Sequence, residues 1–164
     1  MSTATKTGPV PYRKRRFDSI ADLNRELDQI AEIYETGRLQ TSGNWTAGQI
    51  MAHLAAWIEY GYDGYPLKSP PWFIRWILRL RLPKMLASGM PRGVKIPGIP
   101  GGTIGADDMP TDQGIARLRK AFQRLERGEQ AAHDSPAFGK MSLDDRIRLN
   151  LRHAELHLGY LNQS

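Results

Sequence analysis

Two histidines near the end of the chain, His153 and His157, stand four residues apart in SLDDRIRLNLRHAELHLGY, residues 142–160. On a helix that spacing puts both imidazoles on one face, one turn apart. The two other histidines are His53 and His133. His53 lies in IMAHLAAWI, an apolar stretch of helical character. One imidazole from one helix and an HxxxH pair from another form a donor set suited to a divalent metal. Structural readings compete with this: HxxxH arises by accident, and a lone core histidine is commonly bonded to a carbonyl or hydroxyl. His133 falls in the turn-rich AAHDSPAFGKM and reads as a surface residue or a loop anchor, not a ligand.

Composition narrows the chemistry. The 164 residues contain no cysteine, which excludes disulfides, thiolate metal sites and a cysteine nucleophile. Any metal falls to His, Asp or Glu. The net charge of +6 is unevenly placed: residues 1–16 carry +5, residues 66–106 carry +7 with no acid, and the remainder carries −6. Two basic segments of this kind could meet anionic lipid, nucleic acid or an anionic substrate. Nucleic acid is disfavoured, because Arg13-Lys14-Arg15-Arg16 has no recognition motif around it. No secretory signal and no run of membrane-spanning length is evident, so a cytoplasmic protein without an integral membrane segment is expected.

Four amphipathic segments must position the histidines. Asp18 to Thr36 carries Ile20, Leu23, Leu27, Ile30 and Tyr34 at helical steps, with Asp18 or Ser19 to cap it and Gly37 to end it. Thr46 to about Tyr62 opens with a capping box, Thr46-x-x-Gln49, and turns Ile50, Leu54, Trp57 and Ile58 inward beside His53. Thr111 to Arg127 turns in Ile115, Leu118, Phe122 and Leu125, with Thr111 capping and Gly128 stopping it. Ser142 opens the last segment, with Asp144 and Asp145 in its first turn, where negative charge suits the helix dipole. No strand-like alternation is visible. The expected fold is all-α: a four-helix bundle over residues 17–164, a flexible basic arm over 1–16, and a long crossover over 66–110 between the second and third helices.

The crossover is unusual in composition. PPWFIRWILRLRLP suggests a short helix from Pro71, striped by Trp72, Trp76 and Leu80 and broken at Pro83. Its aromatics read as packing on the bundle or as a dimer contact, ahead of a membrane-surface patch, because the helix is short. From Gly89 to Pro110, ten of 22 residues are Gly or Pro. The glycines superficially resemble a phosphate cradle, but no Gly-Lys-Ser/Thr and no preceding strand accompany them.

Four stretches taken together, RRFDSIADLNREL, NWTAGQIMAHLAAW, SPAFGKMSLDDR and RHAELHLGYL, resemble the DinB-like superfamily of four-helix-bundle metalloproteins, in a branch without assigned activity. The resemblance spans roughly residues 13–162. It implies an up-down-down-up bundle, commonly dimeric, with zinc or nickel held by His53, His153 and His157. It also implies kinship with transferases that use an external low-molecular-weight thiol. Where many relatives have another histidine in the last helix, this chain has Asn150 or Leu156. The functional expectation is a divalent-metal protein acting on a small molecule as a thiol transferase or hydrolase. The alternative is a non-catalytic bundle binding a partner or membrane surface through its basic segments. Glu155, Glu59 and Asp112 are candidate bases or supports for the ligands, and Tyr160 could orient a ligand.

Overall fold

In the computed structural model, residues 11–163 are described. Among them are five helices and one small ribbon: α1 (Ile20–Glu35), β1 (Leu39–Thr41), α2 (Ala47–Asp63), α3 (Trp72–Ser88), a 3-10 turn (Pro100–Gly102), α4 (Thr111–Glu126), α5 (Leu143–Leu158) and β2 (Leu161–Gln163). The mostly helical character agrees with the sequence. The expectation of no strand is corrected: β1 and β2 pair antiparallel, Leu39 opposite Gln163 and Thr41 opposite Leu161. Strands of three residues are too short to show alternation.

Helix starts follow local chemistry. The Ser19 hydroxyl accepts from the Asp22 amide at 3.1 Å, and the Asp22 carboxylate accepts in return from the Ser19 amide at 2.9 Å. Thr46 and Gln49 form the expected reciprocal pair, and the Ser142 hydroxyl accepts from the Asp145 amide at 3.1 Å. Thr111 does not cap α4. It is the first helical residue and is buried, behind Pro110, whose fixed φ suits a helix start.

The core is one cluster: Leu23, Leu27 and Ile30 of α1, Met51, Leu54 and Ile58 of α2, Leu118, Phe122 and Leu125 of α4, and Leu151 and Leu158 of α5. Two glycines bring α2 and α4 close together. A Cβ at Gly48 would lie 1.8 Å from the Met109 carbonyl oxygen, and one at Gly114 would lie 2.8 Å from Met51 Cβ. No side chain fits at either place without backbone movement.

Residues 1–10 of the expected arm lie outside the described residues. Residues 12–15 run along the end of α5. Tyr12 donates to the Leu156 carbonyl at 3.2 Å, and the Arg13 amide donates to the Gly159 carbonyl at 2.8 Å. Arg15 is enclosed; it donates to the Leu158 and Leu161 carbonyls at 2.8 and 2.7 Å and pairs with Glu26. These bonds satisfy carbonyls at the α5 terminus that have no partner within the helix, and one at the start of β2.

The crossover departs most from expectation. The α3 helix passes through Pro83, which was expected to break it, and continues to Ser88. Its aromatics do not pack on the body: Trp72 is 79% exposed, Trp76 61% and Leu80 61%, and Leu82 is its buried residue. The helix is tied down at its flank by Arg79, which donates to the Phe138 and Lys140 carbonyls at 2.6 and 3.0 Å. No helix of the described residues is long and apolar enough to cross a membrane.

Candidate metal centre

The three imidazoles singled out from the sequence come together. His53, from the middle of α2, and His153 and His157, from the last two turns of α5, each offer a ring nitrogen, and these nitrogens all lie within 4.8 Å of one another. His53 Nε2 is 3.1 Å from His153 Nε2. Two nitrogens bound at about 2.1 Å to one ion stand roughly 3.0–3.4 Å apart for angles between square and tetrahedral, so this separation suits a shared ion. His53 is buried and the other two are half-buried.

One ring is held by a group with no signature in the sequence. The Ile104 carbonyl, from the Gly/Pro-rich loop, stands 2.8 Å from His53 Nδ1. A carbonyl can only accept, so Nδ1 carries the proton and Nε2 presents its lone pair towards the other two histidines. Such a bond to the far nitrogen is the usual way a ligating imidazole is oriented. Ile104 is placed by Gly105, which has φ +80° and sits where a Cβ would meet Ala56 Cβ at 2.8 Å and Tyr60 Oη at 2.9 Å. The loop therefore lies directly against α2.

The electrostatics keep the rings neutral. Burial lowers the His53 pKa to about 4, against the raising effect of the Ile104 bond. Burial, and secondarily His53, lowers His157 to about 3. His153 is held well below its usual value by burial and then by the other two rings. Neutral imidazole is the ligating form, so three ligands are ready at neutral pH without first losing a proton.

Two tryptophans missed as site residues close the cluster. Trp45 stacks on His157, with centroids 5.6 Å apart and planes 16° apart, and stands 4.9 Å from the His53 ring. Trp57, one turn beyond His53, meets His153 edge to face at 6.1 Å. Its indole nitrogen is buried with no acceptor among the described residues. The sequence placed Trp57 on the inner face of α2; Trp45, just before the Thr46 cap, carried no signal beyond its position.

The other candidates are distributed unevenly. Tyr160 lines the same cleft as the histidines, packed edge to face on Tyr12 at 4.9 Å, and Asn150 lines it one turn before His153. Glu155 does not line it. Its carboxylate accepts from the Phe17 amide at 2.6 Å and lies 2.7 Å from Arg152, joining the N-terminal segment to α5. Glu59 is paired with Arg117 at 2.6 Å, and Asp112 is exposed in the first turn of α4. His133 is exposed, and its backbone amide donates to the Gly61 carbonyl at 3.0 Å. The cleft encloses about 2190 Å³ between the histidines, the inner side of α3 and the loops following α3 and α4.

No curated protein and no solved structure matches the chain. A family model described as "Protein of unknown function (DUF1569)" matches residues 13–164, which include all three histidines and every described helix. The chain belongs to the DUF1569 family.

Proposed function

We propose that the protein holds one divalent metal ion, zinc or nickel, through His53, His153 and His157, and uses it to act on a small molecule as a thiol transferase or a hydrolase. The observation that carries this reading is the convergence of three neutral imidazole nitrogens within 4.8 Å beside a large cleft. Its wider frame is the resemblance to the DinB-like superfamily, in which α1, α2, α4 and α5 would be the four helices of an up-down-down-up bundle. A bound ion with three protein ligands supplies a Lewis-acid centre with coordination positions left for an exchangeable partner.

The chain's own residues have defined parts in this scheme. The Ile104 carbonyl keeps His53 in the tautomer that offers Nε2. Trp45 and Trp57 wall off the rings and exclude water from their flanks. The Trp57 indole N–H is a buried donor with no acceptor among the described residues. Tyr160 and Asn150 stand in the cleft as polar contacts. With no cysteine in the chain, a thiol co-substrate must come from solution. Glu155 is excluded as a base on this scheme by its bonds to Phe17 and Arg152.

The test is elemental analysis of untagged protein beside a His53→Ala variant and a triple His53, His153, His157→Ala variant. About one metal per chain in the parent and none in either variant is the expected result. An empty parent after reconstitution with zinc, nickel and iron, or full retention in His53→Ala, overturns the assignment. Thiol-transfer and hydrolysis assays on the loaded protein then separate an enzyme from a metal carrier.

A further inference from the structure

The exposed side of α3 is the least explained surface of the molecule. Trp72, Phe73, Trp76 and Leu80 are 79, 50, 61 and 61% exposed, and Val94 beyond the helix is 70% exposed. Large apolar side chains gathered in this way mark a surface that meets something other than water. The fold also joins two basic segments that are separate in the sequence. Arg16 donates to the Ala87 carbonyl at the end of α3 at 3.1 Å, and the Arg92 guanidinium lies 4.5 Å from the centroid of the Tyr12 ring. Arg16 and Arg92 thereby come to the C-terminal end of α3, next in the chain to Arg13, Lys14 and Lys95, with Lys84 three residues before Ala87; all six are exposed, and Lys84 and Lys95 also line the cleft. The exposed acid in contact with them is Asp18, 3.4 Å from Arg16.

Charge decides what can cover this face. A second copy docked face to face would oppose two segments of +7. An anionic bilayer supplies the opposite charge and also a headgroup layer in which tryptophan rings are at home. The helix has 17 residues, about 25 Å, and is not apolar enough to cross a membrane. Its geometry suits lying in the interface, with aromatic side chains down and cations reaching the headgroups.

We propose that the exposed side of α3, with the basic end it shares with residues 13–16, docks the protein on anionic lipid bilayers. Because α3 also forms one wall of the histidine cleft through Ile74, Leu78 and Met85, docking would bring that wall to the membrane surface.

The test is co-sedimentation of the untagged full chain with vesicles. One set is phosphatidylcholine alone and the other contains about a quarter phosphatidylglycerol, both in about 0.1 M salt. Partitioning on the order of tenfold stronger to the anionic vesicles is expected. A Trp72→Ser/Trp76→Ser double variant should lose binding by on the order of tenfold while keeping its circular dichroism and chain mass in solution. Neutralising Lys84, Arg92 or Lys95 singly to Ser should lower it by about fivefold. Equal binding to both vesicle types, or undiminished binding by the double variant, overturns the proposal. So does a parent that ignores vesicles, and one that is a dimer made monomeric by the double variant would show that a second copy covers the face.

Discussion

Helices α2 and α3 have 17 residues each, and both carry large apolar side chains at helical spacing. Yet α2 buries twelve of its residues and α3 buries one. Apolar spacing therefore specifies that a helix forms without specifying what will cover it. The difference lies in what interrupts the pattern. In α2 the interruptions are Gly48, Ala52, Ala55, Ala56 and Gly61, small enough for neighbouring helices to approach from several sides. In α3 they are Arg75, Arg79 and Arg81, cations that cannot be buried among apolar side chains; Arg79 reaches out instead to the Phe138 and Lys140 carbonyls.

Truncating equivalent residues should sharpen this contrast. Leu54→Ala in α2 removes a fully packed side chain and is expected to cost about 2–5 kcal/mol in chemical denaturation. The next effect in size comes from acid. The folded His53 pKa lies near 4, below its unfolded value of about 6.5, so the unfolded chain binds the extra proton first. Stability of the metal-free protein is then complete above about pH 6.5 and is lost as pH falls towards 4, by roughly 3 kcal/mol for His53 alone. Denaturation midpoints across that range should fall in the parent and fall less steeply in His53→Gln, where His153 and His157 still contribute; an unchanged slope would show that the His53 ring is not buried in its neutral form.

Gly105→Ala tests whether the crossover loop serves the site. With φ +80° and 2.8 Å to Ala56 Cβ, the substitution should displace Ile104 and release His53 Nδ1. Metal affinity should drop by about 10–100-fold, as for loss of a group that orients a ligand. Unaltered affinity would leave the loop no part in the site. The smallest effect belongs to α3: Leu80→Ala should change stability by about 0.5 kcal/mol or less. A loss near that of Leu54→Ala would mean that the face is covered in solution.

The sequence made the histidine triad and most helix limits legible for identifiable reasons. Thr46 and Gln49, Ser142, and Gly37 and Gly128 are local signals whose partners lie within a few residues, so neighbouring positions suffice to read them. His53, His153 and His157 could be joined because His53 sits in the apolar α2, the other two share one face of α5, and the resemblance implies the same three. What stayed hidden depends on distant backbone. The Ile104 carbonyl has no side-chain signature, and Arg15 looks like any surface cation until the α5 carbonyls accept its protons. Glu155 was drawn towards the site by its place between the two histidines. On a helix the residues two before and two after it point elsewhere, and its carboxylate faces Phe17 and Arg152 instead.

The division between the two regions also extends to their optics. The four tryptophans fall into two pairs, Trp45 and Trp57 against the histidines, Trp72 and Trp76 on the exposed side of α3. One pair emits from a shielded setting beside the imidazoles and the other from water. Paramagnetic nickel would quench the first pair at close range, whereas zinc would not. A water-borne quencher such as iodide would reach mainly the second. The protein thus carries separate fluorescent gauges for its buried centre and its outer helix, with no label attached.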